Sequence, residues 1–122
     1  MEEFLVNAPW GLLKIESVGS QGDIPDEDPN GRPVSANEGC VAVAVLHGDF
    51  GSVRVRVGRG EREGCGILAF EGVIACPSRM IEISDIVGDN SYIQLPVEAD
   101  SVALTVELDK LEMAEIVTVK IK

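Results

Sequence analysis

The chain has 122 residues, one domain's worth, and a net charge of −11 from 21 acidic and 10 basic side chains. Hydrophobic residues make up 45% and charged residues 25%, a balance that supports a core and excludes compositional disorder. Such an acidic surface repels phosphates, which argues against nucleic acid or an anionic membrane as partner.

In chain order, the N-terminal Met-Glu-Glu-Phe-Leu-Val-Asn lacks the basic and apolar regions of a signal peptide. No apolar run reaches the ~18 residues a spanning helix needs, so a cytoplasmic protein is expected. Residues 12–18 read as a first strand. Residues 19–39 form one long acidic loop rich in Pro, Gly, Asp and Asn. A loop of that length is functional, disordered or wrapped over a sheet. Residues 40–46 are apolar on both faces, which predicts a central strand with Ala42 and Ala44 tightly overlaid. Residues 47–52 then lead, most simply as a hairpin, into 53–57, where Val53, Val55 and Val57 alternate with Arg54 and Arg56. Residues 67–75 are a long apolar strand in which Gly72 predicts a bulge. Shorter strands follow at 79–84 and 92–95. Residues 101–109 alternate Val102, Leu104, Val106 and Leu108 with Thr105, Glu107 and Asp109, and 115–122 repeat the pattern. Eight or so strands and no convincing helix predict one all-β domain over 1–122. An antiparallel β-sandwich is favoured over a closed barrel.

Only five aromatics are present, Phe4, Trp10, Phe50, Phe70 and Tyr92, so the core must be aliphatic. Cys40, Cys65 and Cys76 are odd in number and lack C-x-x-C spacing. Buried free thiols in a reducing compartment are expected, with one disulfide and a leftover thiol as the alternative.

No reaction is legible in these residues. His47 is the only histidine, sits beside Asp49 in a turn, and has no nucleophile signature near it. Asp26-Glu-Asp-Pro-Asn-Gly31 fits the first half of a calcium loop, but Asn37 stands where the closing glutamate belongs. Ordinary turn chemistry accounts for it as well. The glycines of residues 58–64 follow a strand without opening a helix, so they form no nucleotide loop. The chain is therefore expected to be no enzyme and to carry neither metal nor cofactor.

Charge layout says more. Residues 1–38 sum to −6, 39–66 to +1 and 67–122 to −6. The middle block holds Arg54, Arg56, Arg59 and Arg62, which read as an anion-recognition stripe or as protection of an exposed strand edge. Glu98, Asp100, Glu107, Asp109, Glu112 and Glu115 crowd the last block. Carboxylates on a rigid strand suit capture of a basic protein, by steering and by imitating a phosphate backbone; solubility alone is the bland alternative.

Residues 67–121 also show a distinct order of strands, a pattern that involves no catalytic residues. An apolar strand and a short turn lead to Met80-Ile-Glu-Ile-Ser-Asp85. Tyr92-Ile-Gln-Leu-Pro96 then precedes an alternating strand and a last one at 116–121. This order resembles the competence-type nuclease inhibitors and small bacterial β-sandwich immunity proteins. The resemblance implies a protein that binds and neutralises a basic nuclease or toxin without catalysis. It transfers no functional residue by motif. The expected partner-binding residues are the acids Asp26, Glu27, Asp28, Glu107, Asp109 and Glu112. Arg54 and Arg56 would serve if the chain instead pairs with itself as an assembly module.

Overall fold

The computed structural model describes residues 2–20, 24–26, 28–60, 66–86 and 91–122. Ten strands are found among them: β1 (Glu2–Val6), β2 (Leu12–Ser17), β3 (Val34–Ala36), β4 (Cys40–Ala44), β5 (Val53–Arg59), β6 (Ile67–Ala75), β7 (Met80–Asp85), β8 (Ser91–Pro96), β9 (Ser101–Leu108) and β10 (Ile116–Ile121). The alternating and apolar runs of the sequence locate eight of them. The two extra strands, β1 and β3, lie at sheet edges, where pairing on one side only leaves a weaker sequence pattern.

The strands form two five-stranded sheets, ordered β1-β5-β10-β9-β6 and β3-β4-β2-β7-β8. The fold is thus an all-β sandwich. Among the described strands the pairings are antiparallel except that β5 and β10 run parallel, Val55 lying opposite Val117. Between the sheets, Val53, Val55, Val57, Leu104, Val106, Leu108, Val117 and Val119 of the first meet Leu13, Ile15, Val41, Val43, Ile81 and Ile83 of the second. Each is almost wholly buried. Burial of one such side chain is worth about 1.5–3 kcal/mol, and together these residues are the core. The few aromatics close its flanks. Phe4 and Tyr92, with ring centroids 6.1 Å apart, bring the β1 edge against the β8 edge. On the other flank Phe70 lines a cavity together with β3 and described residues of the long loop.

Three local expectations change. Residues 45–52 are not a hairpin, because β4 and β5 belong to different sheets. Their backbone is spent on other loops: Val45 N–H donates to Gly11 O, Leu46 N–H to Ala114 O and Gly48 N–H to Ala8 O. The β6 irregularity falls between Leu68 and Phe70, not at Gly72. Gly72 instead lies beneath the Phe70 ring, whose Cζ would be 2.7 Å from an added Cβ. Ala42 is buried as expected, but Ala44 is exposed. Cys40 and Cys76 are buried free thiols, and Cys65 lies outside the described residues.

Candidate protein-binding surface

At one end of the sandwich β1, β4 and β9 finish and β2, β5 and β10 begin, as Val6 opposite Val53, Leu12 opposite Ala44 and Val117 opposite Leu108 require. Loops 7–11, 45–52 and 109–115 therefore meet there, and the end of the long loop joins them. Their backbones are tied down. Besides the three bonds above, Gly11 N–H donates to Ala8 O, and Asp109 Oδ1 accepts the N–H groups of Glu115 and Ile116 at 3.0 and 3.1 Å. Lys110 Nζ pairs with Glu115 Oε2 at 2.7 Å, and that hydrogen bond holds the ammonium pKa above its ordinary value.

On this rigid frame the large side chains point outward. Trp10 is 74% exposed, Phe50 77%, Met113 61% and Leu111 51%. Trp10 and Met113 also adopt left-handed backbone, with φ of 60° and 50°. That conformation costs a side-chain-bearing residue roughly 1–2 kcal/mol, and it is kept only where the surroundings impose it. The neighbouring Gly11 is left-handed as well. Its own φ is +65°, and an added Cβ would stand 2.9 Å from Val45 O.

Trp10, Leu111 and Met113 wall a groove of about 570 Å³ whose floor includes the methyls of Ala42 and Ala44. Small residues on the outer face of β4 leave the depression open. Asp28, Arg32 and Glu112 supply its charges. The described residues of the surrounding loops carry Asp26, Asp28, Asp49, Asp109, Glu112 and Glu115 against Arg32 and Lys110. This end is both apolar and acidic.

The structure brings only some of the expected site residues together. Asp28 and Glu112 share this groove. Asp26 and Asp28 line an adjoining cavity whose other side is β3, so the described residues of the loop lie beside that sheet edge. Asp28 Oδ1 accepts Asn30 N–H at 2.7 Å and its carbonyl accepts Gly31 N–H at 2.9 Å, an ordinary Asx turn. Glu27 lies outside the described residues. Asp109 is exposed but organises the β9–β10 turn.

Glu107 is elsewhere, at the middle of the outer face of the first sheet. It is 7% exposed, and its carboxylate meets Lys120 Nζ at 2.7 Å. Alternation places it outward correctly, but β10 supplies a lysine that covers and neutralises it. Arg54 and Arg56 are also engaged within the chain, both reaching the Glu3 carboxylate of β1 at 3.0 and 3.1 Å. Their stripe is one side of a cross-strand ion cluster. His47 Nδ1 accepts Asp49 N–H at 3.0 Å, and its ring stands edge-on to Phe50 at 6.0 Å. No group of three or more His, Cys, Asp or Glu side chains suited to a metal occurs among the described residues.

Sequence reasoning missed Trp10, Leu111 and Met113. The available signal was Pro9-Trp10-Gly11, a lone tryptophan between two turn residues.

The class these features define is an all-β sandwich of two five-stranded sheets with an apolar, acidic loop end. No protein-family model matches the chain, nor does any curated protein sequence. Among solved structures it is similar to the crystal structure of ComJ from Bacillus subtilis, an inhibitor of the DNA-degrading activity of NucA. The likeness covers 99% of this chain and 94% of ComJ, with a TM-score of 0.74 and 9% sequence identity. At that identity the likeness is one of fold.

Proposed function

We propose that this chain is a non-catalytic inhibitor that binds a basic DNA-degrading nuclease and blocks it. The observation that carries this reading is the fold shared, over nearly the whole of both chains, with an inhibitor of a nuclease. Charge supports it. An enzyme that grips DNA presents a positive cleft, and a protein of net charge −11 competes for that cleft by steering and complementarity. The lone histidine, engaged with its own turn, gives no support to a catalytic alternative. We place the inhibitor in the cytoplasm, a reading supported by the buried free thiols Cys40 and Cys76. Self-association through Arg54 and Arg56 is less favoured, because Glu3 of the same chain already holds both guanidinium groups.

The test is DNA degradation by purified nucleases of the source organism, titrated with this protein. Stoichiometric loss of activity is expected against one of them, with association slowing as salt rises. If DNA is degraded at unchanged rates in every case, the reading is wrong.

A further inference from the structure

We infer that the Trp10 groove is the anchoring site for an arginine-bearing segment of a basic protein partner. This deepens the inhibitor reading and rests on it for the partner's identity, though not for the chemistry of the groove. Three observations converge. The indole of Trp10 is open to solvent on a turn of left-handed backbone, so its face is available to a partner. Indole is the aromatic best suited to stack a guanidinium. Glu112 and Asp28 line the same groove and give that guanidinium carboxylates to pair with. Leu111, Met113 and the methyl floor of Ala42 and Ala44 suit apolar residues flanking the arginine.

Charge complementarity decides against an acidic or neutral occupant. Two carboxylates line the groove against one cation, Arg32, and the described residues of the surrounding loops add four acids and one base. Arg32 also gives the inference a sign. Removing its charge should tighten a basic ligand, whereas for an acidic ligand it would weaken binding.

Trp10 is the only tryptophan in the chain, so intrinsic fluorescence reports on this site alone. The experiment titrates the full chain with an arginine–leucine hexapeptide and with its glutamate–leucine counterpart, following Trp10 emission at low and high salt. The arginine peptide is expected to shift or quench the emission and to lose the effect in high salt. Glu112→Lys should weaken it about tenfold or more, and Arg32→Ala should strengthen it severalfold. Ala44→Phe fills the groove from an exposed strand position and leaves Trp10 in the chain, so with an unchanged unfolding midpoint it separates lost binding from lost folding; it should also abolish the response. No response to the arginine peptide, or an equal response to the glutamate peptide, overturns the inference. So does a dimer by light scattering that Trp10→Ala converts to a monomer, because a second copy then fills the groove.

The same variants enter the nuclease assay. Inhibition that survives both Glu112→Lys and Ala44→Phe overturns the groove as the anchor while leaving the inhibitor reading intact. A peptide response without inhibition of any nuclease overturns the inhibitor reading and leaves the groove's chemistry standing.

Discussion

Glu107 and Lys120 show how little an outward position says about available charge. They sit diagonally across the β9–β10 ladder, both nearly buried on the outer face. Removing one partner of such a pair strands the other, which costs about 3–5 kcal/mol, whereas replacing both with apolar residues is close to neutral. Lys120→Met is therefore expected to destabilise by about 3 kcal/mol in urea unfolding. The double variant Glu107→Leu, Lys120→Met should recover most of that loss. A charge reversal at Glu107 would likewise report on folding, not on partner capture. A second consequence concerns Cys40, on the opposite outer face. Burial pushes its thiol from 9.0 up to about 11, helped by the Glu16 carboxylate and opposed by Lys14. Between those values the unfolded chain has already lost the proton and the native state has not, so rising pH favours unfolding. The expected loss over that window is about 2 kcal/mol. Lys14, held above its ordinary value because Glu16 outweighs the effect of burial, loses its stabilising contribution at still higher pH, with the same sign. Cys40→Ala should flatten the pH dependence of the unfolding midpoint between pH 9 and 11.

Among the elements, the turn from Pro9 to Gly11 does the most with the fewest residues. Its Gly11 carbonyl receives Val45 N–H, its φ is left-handed, and its Cα faces Val45 O too closely for a side chain. Gly11→Ala is expected to cost about 2 kcal/mol or more, since strain and contact both oppose it. Trp10 emission should change in the native state as well; an unchanged spectrum and midpoint would show that the turn does not depend on Gly11. Beyond a lone tryptophan between Pro9 and Gly11, the sequence shows none of this. The strands with strict alternation, such as the one bearing Val53, Val55 and Val57, declare themselves because one face is core and the other is wet. The edge strand β1 has Glu2, Glu3, Phe4 and Leu5 in a row, and β3 has three residues, so neither carries a full period. The turn that carries Trp10 is tied down by a hydrogen bond between residues 11 and 45, and no local pattern encodes that. Glu107 was read as outward and is; its covering lysine depends on the register of β10 against β9, which sequence does not reveal.

At the scale of the whole molecule, acidity was legible in kind and only partly in place. The two acidic blocks do meet, through Asp28 of the first and Glu112 of the second, but the middle block's Arg54 and Arg56 are drawn into the fold by Glu3. What remains is a molecule whose net charge of −11 repels itself. Sodium chloride screens that repulsion over a Debye length of about 8–10 Å near physiological strength, while the two nearly buried pairs Lys14–Glu16 and Lys120–Glu107 are screened much less. The melting temperature should therefore rise as sodium chloride increases from low to moderate concentration. A fall would mean that exposed ion pairs, not net repulsion, dominate its stability.

The parallel insertion of β10 has a consequence for biosynthesis. The tenth strand, β10, is the middle strand of its sheet, lying between β5 and β9. Until residues 116–121 leave the ribosome, β1 with β5 and β9 with β6 are two separate ribbons, and a two-stranded ribbon is marginal in water. The closing contact also joins residues some sixty positions apart, Ile116 with Arg54, a pairing that forms slowly. A nascent chain of this design completes its first sheet only after residues 116–121 are made, so truncation before Ile116 should leave that sheet as two unjoined ribbons.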